Sequence, residues 1–575
     1  MSKRSLSPAA SLPPAKRMHH GSAPHPLSTS RISFDNVFVD ELLLLIFSHL
    51  SWNDLCAIQR TNRNWARLAL DNQLWKSLYV REYGRTRLRG VRGFIGRADG
   101  REMRPLPHRA QSEDIKDWKW MFRISSNWRT GRCSVVDVST GPPPQIERPL
   151  HRLALPTPPA DTAGVLFSLE QSFVLLAGNI TVTASAQPSS RPSVKLLSPT
   201  EDMFSLDCSS SRPSTTTSIT ALALDQSPPS SQHIRLVAFL ATGEFIIFTL
   251  DHQNPSRSVR QLTYAPASRA PRTSPITHAV YHHPLLVTLS HTFHLSIYDL
   301  SDGGVRHTQT LSSFTSYPPS SLVLSAPTPS TYKLVLAYAV PVYPAHWSVG
   351  ATELIISASE DGRERVAVTA SRTARAIDTP TGWMDARKLR AMREQWARKV
   401  ARVAGTQTDG KWVVLAPGAP PPPPATPSSA SDSDSSSSSS ASSKRASATY
   451  TSSPLYSAFA LQLYRLHLPS SASGTGWGAP RLAFVRTLHG QTGPVCALAV
   501  ADGRCVSLGV DGGMWVWDLE GGTGAEVARG EVEEEEGEAG EKARMGMVGR
   551  GAVVFDERRI VSAGVGGVQV WRFDV

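Results

Sequence analysis

The chain carries, at residues 34–79, the stretch FDNVFVDELLLLIFSHLSWNDLCAIQRTNRNWARLALDNQLWKSLY. On a 3.6-residue period, the apolar side chains of its first helical segment fall into two opposite stripes. One stripe consists of Val39, Leu43, Ile46, Phe47 and Leu50, and the other of Leu42, Leu44 and Leu45. A helix that is apolar nearly all round must be covered all round, and about 45 residues is near the lower size limit for an independent core. The residues therefore predict a small helical module that completes its core with another protein.

Polar residues at fixed offsets predict where the helices of this stretch begin. Asp40 and Glu41 fall in the first turn of the first helix, where the helix dipole favours negative charge. Ser51 with Asp54 has the spacing of a capping box for a second helix. Asn62 is placed to cap a third helix, and a fourth short helix is expected around residue 75.

The same residues resemble the F-box family. Its pattern begins with leucine-proline-x-glutamate-leucine, continues with isoleucine-phenylalanine-x-x-leucine and ends with leucine-tryptophan-lysine. Phe38-Val39 replaces the leucine-proline pair, which removes a helix-starting proline, and Thr61-Asn62 replaces the usual valine-cysteine. The resemblance implies that the module binds the Skp adaptor and, through it, the cullin and RING subunits of a ubiquitin ligase.

The resemblance assigns fourteen apolar side chains to adaptor binding: Phe38, Val39, Leu42, Leu43, Leu45, Ile46, Phe47, Leu50, Leu55, Ile58, Trp65, Leu68, Leu74 and Trp75. One side of the first helix is expected to pack on Trp65 and Leu68, and the other on the adaptor. Leu43 and Phe47 are the first choice for substitution in a test of adaptor binding. The alternative interpretation is a helical hairpin packed on the chain's own next domain.

Composition indicates several domains joined by unstructured tracts. The chain has 575 residues, a hydrophobic content of 40%, 43 prolines and 40 glycines. We predict a disordered basic tail at 1–31, an F-box at 32–80, an arginine-rich connector with a helix at 81–131 and a β-propeller at 132–575. Three insertions are expected in the propeller: a helical one near 382–404, a disordered loop near 418–453 and an acidic loop near 526–546.

The connector ends in a predicted helix. Ser112 is placed to cap a helix over residues 112–123, which is expected to end at the segment SSNWRTGRC. Within that segment, residues 127–131 (NWRTG) are similar to the segment that joins the F-box to the propeller in F-box proteins with WD repeats. The arginines of the connector could neutralise nucleic-acid phosphates, but no stacking aromatic residues are interleaved with them, so a solvated connector is favoured.

After Gly131 the sequence changes to short β-type runs separated by serine, proline and glycine. LVAFLATGEFIIFTLD at residues 236–251 predicts a hairpin. HGQTGPVCALAVADGRCVSLGVDGGMWVWDLE at 489–520 resembles one blade of a WD-repeat propeller, with Trp517-Asp518 as the dipeptide. The remaining length suits about seven blades of 40 to 45 residues. The predicted fold is thus a small all-α module followed by an all-β propeller.

Nothing in the sequence extends beyond the last WD-like run, so the ring needs a strand from elsewhere to close. We expect the run Cys133–Val138 to pair with the blade that contains residues 561–573, because this pairing removes a sheet edge.

Catalytic motifs are not evident: the sequence has no P-loop, GxGxxG, HExxH or GxSxG pattern. His278, His282, His283, His291 and His294 are close in sequence, but strand spacing favours surface histidines over metal ligands. We therefore expect a non-catalytic receptor subunit without cofactor or metal, which brings a protein substrate near a conjugating enzyme. The sequence does not identify that substrate or the residues that bind it.

Charge and cysteine usage bear on location and partners. The formal charge of +12 permits contact with nucleic acid, which we do not expect, or with acidic partners. Five scattered cysteines, no apolar leader and no membrane-length run indicate the cytoplasm, the nucleus or both, away from membranes. Two alternative functions remain open: an interaction scaffold that holds the adaptor outside a ligase, and a basic protein associated with nucleic acid.

Overall fold

The computed structural model describes residues 38–84, 117–138, 172–178, 180–198, 203–211, 216–227, 233–251, 254–266, 274–301, 303–328, 330–358, 366–378, 382–419, 459–468, 480–529, 551–564 and 567–575. These residues belong to two units, Met1–Leu78 and Tyr79–Val575. The predicted basic tail, the arginine-rich part of the connector and most of the two predicted disordered or acidic loops lie outside the described residues.

Four short helices follow one another at the start of the described chain: α1 (Asp40–Ser48), α2 (Trp52–Ile58), α3 (Arg63–Ala69) and α4 (Asn72–Tyr79), followed by a π-helical turn at Val80–Gly84. Their predicted caps are confirmed. The Ser51 hydroxyl accepts from the Asp54 N–H (3.3 Å), while Asp54 accepts from the Ser51 N–H (3.2 Å). The Asn62 side chain accepts from the Trp65 N–H at 2.8 Å.

The core of this helical unit is small. Leu43 and Phe47 of α1 are buried, as are Leu55 of α2 and Leu68 of α3. The Phe47 ring meets the ring of Trp65 edge-on, with centroids 5.8 Å apart. The predicted packing of one side of α1 on the third helix is therefore confirmed.

The second unit contains seven four-stranded antiparallel sheets. Blade 1 comprises β2 (Ser172–Ala177), β3 (Ile180–Ser185), β4 (Ser193–Leu197) and β5 (Met203–Asp207). Blade 2 comprises β6 (Ile219–Leu224), β7 (His233–Leu240), β8 (Phe245–Asp251) and β9 (Val259–Tyr264), with a 3-10 turn at Pro255–Arg257. Blade 3 comprises β10 (Ile276–His282), β11 (Leu285–Ser290), β12 (His294–Asp299) and β13 (Arg306–Ser312).

The remaining blades follow in chain order. Blade 4 comprises β14 (Tyr317–Thr328), β15 (Thr331–Val342), β16 (His346–Ala358) and β17 (Val366–Arg375). Blade 5 comprises β18 (Val403–Thr408), β19 (Trp412–Pro417), β20 (Leu461–His467) and β21 (Arg481–Leu488). Blade 6 comprises β22 (Val495–Ala501), β23 (Arg504–Gly509), β24 (Met514–Asp518) and β25 (Thr523–Ala528). Blade 7 comprises β26 (Ala552–Phe555), β27 (Arg559–Gly564), β28 (Gly567–Arg572) and β1 (Ser134–Asp137).

Blade 7 confirms the predicted closure, because its outer strand comes from the start of the unit. β1 pairs antiparallel with β28, from Ser134 opposite Arg572 to Asp137 opposite Gln569. The first strand of each blade contacts the first strand of the next, and β26 contacts β2 to complete the circle. The structure is therefore a closed ring of seven blades, as predicted.

Apolar side chains fill the space between blades. Strands of blade 2, such as β7 with Val237 and Phe239, pack through one face on blade 3, where Leu286 and Tyr298 lie. The other face of the same strands packs on blade 1. A strand covered on both faces carries a continuous apolar run rather than an alternating one. This explains why LVAFL at residues 236–240 is apolar throughout.

Blade 6, which the sequence predicted as a WD-like blade, has a polar network in its core. The Trp517 indole N–H donates to the Ser507 hydroxyl (3.2 Å), which donates to the Gln491 side-chain oxygen (2.9 Å). Blade 7 repeats the first contact, between Trp571 and Ser562 at 3.1 Å. Buried tryptophan N–H groups need such partners, so this contact accounts for the similar endings of the two blades.

The helix before β1 contacts the residues that follow β28, the strand with which β1 pairs. Helix α5 (Trp118–Thr130) is capped by Asp117, and Ser112 lies outside the described residues. The predicted end at Arg123 was wrong, because the helix continues to Thr130 and the polar side chain of Asn127 within it has distant partners. The Asn127 amide donates to the carbonyl oxygens of Phe573 (2.8 Å) and Val575 (3.3 Å).

Trp128 is the centre of this attachment. Its ring stacks on Phe573 with centroids 4.1 Å apart, and its indole N–H donates to the Glu557 carbonyl at 2.9 Å. The guanidinium of Arg504 lies 4.7 Å from the ring centroid. Gly131 ends the helix with φ of +72°, and a Cβ there would lie 2.2 Å from the Glu526 carbonyl oxygen. These contacts explain the NWRTG segment.

Two predicted insertion boundaries were displaced. The helical insertion contains α6 (Ala386–Trp396), but β18 already begins at Val403. The acidic loop was expected from residue 526, yet β25 runs to Ala528 and pairs with β24. In both places the ladder partner, rather than local composition, decides where the strand ends.

Replacing Trp128 should destabilise the ring. Trp128→Ala removes a stacked, hydrogen-bonded core side chain, and we expect a loss of about 3–5 kcal/mol in the free energy of unfolding, measured by urea titration with circular dichroism. Trp383→Ala is the matched control because the Trp383 side chain is exposed. Equal stability of the two variants would contradict the role given to Trp128.

Three thiols with a strongly raised pKa should be unreactive in the folded chain. All five cysteines are free. Burial raises the pKa of Cys496 to about 11 and that of Cys208 to about 12, and burial also raises the pKa of Cys505. Since the thiolate is the reactive form, iodoacetamide at pH 8 should alkylate these three only after unfolding, as measured by peptide mass spectrometry. Alkylation of Cys505 in the folded protein would show that the ring of blades is more open than described.

Candidate functional site

An apolar surface remains uncovered on α1. Val39 is 60% exposed, Leu42 47%, Leu45 59% and Ile46 42%. At 100° per residue these four positions span an arc of about 120°, next to the arc that Leu43 and Phe47 turn inward. Scattered exposed leucines are ordinary, but a contiguous apolar arc on one helix is typical of an interaction surface.

An ion pair joins α1 to α3. Asp40, in the first turn of α1, forms an ion pair with Arg67 of α3 at 2.5 Å, and both side chains are largely exposed. An exposed pair of this kind contributes no more than about 1 kcal/mol. On the same helical period Asp40 lies beyond Leu43 and Phe47, so the pair joins the two helices on the side of α1 that faces α3 and not at the exposed arc.

The structure sorts the fourteen predicted adaptor-binding residues into three groups. Leu43, Phe47, Leu55, Leu68, Leu74 and Trp75 are buried. Phe38, Leu50, Ile58 and Trp65 are half-buried, and Val39, Leu42, Leu45 and Ile46 are exposed. Contact of these residues with the adaptor stays a prediction. However, Leu43 and Phe47 are unsuitable for testing it, because charging a buried side chain would unfold the unit.

Two exposed apolar residues of the helical unit were missed. Trp52 lies in the first turn of α2 and Leu70 directly follows α3, and both side chains are exposed. Leu70 lies outside the stripe of Trp65 and Leu68 that the 3.6-residue period selects, whereas Trp52 precedes Leu55 by three residues and lies at the start of its stripe. The signal that could have found them is a large apolar residue at a helix end.

The histidines of blade 3 are divided between the two ends of its strands. His282 and His283 lie at the turn from β10 to β11, whereas His291 and His294 lie at the turn from β11 to β12. A strand of this length separates the two turns by about 20 Å. In the described ranges, no three His, Cys, Asp or Glu side chains come close enough to hold a metal ion.

His283 has a structural role in the described contacts. The backbone N–H of His283 donates to the carboxylate of Asp225, next to blade 2, at 3.0 Å. The ring nitrogen Nδ1 of His283 lies 3.2 Å from the Tyr281 hydroxyl. Burial, followed by the charge of Arg235, lowers the pKa of His283. The lowered pKa favours the neutral imidazole, while the backbone N–H of His283, and not its ring, joins blade 3 to blade 2.

No helix in the described part of the chain has both the length and the apolar character to cross a membrane.

Comparison with known families decides the identity. The family described as F-box protein pof12 beta-propeller matches residues 167–542, which is more than half of the chain. The chain belongs to the pof12 β-propeller family of F-box proteins. An F-box-like domain also matches, over residues 40–81, which covers α1 to α4.

Relatives of known name align over short segments. F-box protein pof12 of Schizosaccharomyces pombe is 30% identical over 102 residues, which are 18% of this chain and 19% of pof12. An F-box protein of Saccharomyces cerevisiae is 25% identical over 125 residues, which are 19% of this chain and 18% of that protein. The alignments thus span about a fifth of either relative.

Solved propellers are similar at low identity. The β-propeller domain of Cps50 (Swd1) from Myceliophteria thermophila is 10% identical, with a TM-score of 0.35, covering 71% of this chain and 99% of that domain. Sqt1 of Saccharomyces cerevisiae is 8% identical, with a TM-score of 0.33, covering 68% of this chain and 92% of that chain. The strand pairing described above, and not these likenesses, defines the seven blades.

Proposed function

We propose that this chain is the substrate receptor of a Skp–cullin–F-box ubiquitin ligase. In this role the α1 surface binds the Skp adaptor and the propeller holds a protein substrate. The observation that carries the proposal is the uncovered apolar arc of Val39, Leu42, Leu45 and Ile46 on a unit that matches the F-box-like domain. Two of the relatives are themselves named F-box proteins.

The energetics of the α1 surface support a stable partner. Completing the burial of a half-exposed leucine or isoleucine releases roughly 1 kcal/mol. Four such side chains on one arc form an apolar patch that a partner would cover. The adaptor would cover the side of α1 that the chain's own α3 does not.

In the proposed role the chain itself performs no chemistry. A ligase receptor contributes proximity, since it raises the effective concentration of substrate lysines at the conjugating enzyme. Location in the cytoplasm or nucleus is part of the proposal, and it is supported by five free thiols. A scaffold that holds the adaptor outside a ligase would differ by lacking cullin among its partners.

Charging the exposed arc should remove the adaptor. In affinity purification of the full-length chain, Leu42→Asp/Leu45→Asp should reduce recovery of the Skp adaptor and cullin at least about tenfold, because two carboxylates would be buried unpaired. Both side chains are exposed in the free chain, so the thermal unfolding midpoint should stay the same within about 2 °C.

Met203→Asp/Val259→Asp is the matched control, because it places the same two charges at exposed apolar residues of β5 and β9. It should retain adaptor and cullin. Full recovery of the adaptor by the Leu42/Leu45 variant would refute the proposed docking surface. Recovery of adaptor without cullin by the unmodified chain would favour the scaffold.

A further inference from the structure

The exposed aromatic residues of the propeller are concentrated at one blade. In the described part of the propeller, every exposed phenylalanine, tyrosine or tryptophan lies in blade 4 or in a connection that flanks it: Phe314 (88% exposed), Tyr317 (40%), Tyr343 (85%) and Trp383 (87%). Propellers bury most of their aromatic surface between blades, so this concentration indicates a surface that contacts something else.

Strand direction places these residues on the same face of the ring. The face is the one at which β14 begins, directly after Phe314. β15 runs antiparallel to β14 and ends at the same face, before the turn at Tyr343. β16 leaves from the same face, and β17 runs back to it before the connection that carries Trp383 and α6. We call these four side chains, together with Met384, the blade 4 aromatic surface.

Contacts link one end of this surface to the end of α6. The Tyr317 hydroxyl donates to the Phe314 carbonyl at 3.3 Å, and its ring lies 5.6 Å from that of Trp347. Trp347 in turn exchanges two backbone hydrogen bonds with Val400, of 2.7 and 2.9 Å. Val400 follows α6 by four residues, so this end of the helix is held against blade 4.

Helix α6 presents a basic side to solvent. Arg387, Lys388, Arg390 and Arg393 are exposed, whereas Leu389, Met392 and Trp396 are half-buried on the opposite side. Arg387, Arg390 and Arg393 form no ion pair within the described ranges. Residues 382–402 contain seven basic residues and two acidic ones. The outer side of α6, which also carries the exposed Glu394, is therefore a strip of net positive charge.

The two features form one elongated surface. α6 has 11 residues and is about 16 Å long. Trp383 and Met384 precede its first turn, while Tyr317 and Trp347 lie near the segment that follows its last turn. Apolar anchors therefore stand before and after a basic strip.

We propose that this surface binds an acidic peptide segment of a partner protein, with carboxylates on α6 and large apolar side chains on the aromatic anchors. Charge complementarity selects the acidic chain, and the aromatic residues supply the contact area that dominates peptide affinity. Binding of the acidic peptide does not depend on the proposed receptor function. The inference rests on that function only where it identifies the partner protein as the substrate of the ligase.

The arrangement favours a peptide over a nucleic acid or a membrane. A nucleic-acid strand has a phosphate at every nucleotide and needs cations along its stacking aromatics, whereas here the cations are on α6 and Phe314, Tyr317 and Tyr343 are outside it. A membrane-binding helix turns its apolar stripe outward, but the stripe of α6 faces the protein.

Fluorescence anisotropy of the full-length chain tests the inference. The probe is a fluorescein-labelled synthetic peptide in which a run of glutamates is flanked by phenylalanine and tryptophan. We expect saturable binding that weakens as salt is raised. Trp383→Ser and Arg387→Glu/Arg390→Glu should each weaken binding by roughly tenfold, the effect of losing one anchor or reversing the strip.

Controls for fold and charge are available in the same chain. Arg306→Glu/Arg481→Glu makes the same charge change at exposed arginines that begin β13 and β21, and Val259→Ser removes an exposed apolar side chain from β9. Both should bind the probe as the unmodified chain does. A probe with glutamine in place of glutamate should bind at least about tenfold more weakly, because the charge complementarity is lost.

Other occupants are outcomes that would overturn the inference. These are tighter binding to phosphatidylserine vesicles or to oligouridylate than to the peptide, and equally tight binding of a peptide with the chain's own sequence from residues 530–541. Absence of probe binding, or binding unchanged in the Trp383 and arginine variants, would also overturn it. Adaptor recovery measured on the same variants is a separate readout, because they leave α1 untouched, so failure here and failure of the receptor function are distinguishable.

Discussion

The pairing of β1 with β28 is the interaction on which the rest of the structure depends. It joins residues 134–137 to residues 569–572, so the ring of blades closes with strands from both ends of the unit. Without it, the outer edge of β28 would be unpaired, a liability in any sheet protein. Helix α5 secures the pairing, because Asn127 and Trp128 bind the backbone and the ring of the residues just after β28. The propeller thus satisfies its own strands, and its closure needs no second protein.

The helical unit shows the opposite behaviour. Its α1 is apolar on nearly all sides, and the chain's own α3 and its neighbours cover the side that carries Leu43 and Phe47. The remaining arc is exposed. A self-sufficient ring and a helix that lacks cover, joined in one chain, are the physical basis of the proposed two-part function, in which one part would recruit and the other would present.

Local signals predicted local structure well. The caps at Ser51 and Asn62 act over three residues, so their residue types alone located α2 and α3. Blade 6 could be predicted because its turns and its tryptophan network lie within about 30 consecutive residues.

Predictions of element boundaries that depend on distant partners failed. The end of α5 was misplaced because Asn127 is satisfied by residues more than 400 positions away, and the start of the acidic loop was misplaced because β25 is defined by its pairing with β24. Periodicity likewise could not separate the buried from the exposed half of α1, since both halves are apolar.

The central claim is that α1 lacks its cover until an adaptor binds, while the ring is closed in its absence. Hydrogen–deuterium exchange of the full-length chain, followed by mass spectrometry with and without purified Skp adaptor, measures both states at once. The account predicts that residues 134–137 exchange slowly in both samples, and that residues 39–50 exchange markedly more slowly once the adaptor is added. Unchanged exchange of residues 39–50 at saturating adaptor would contradict it.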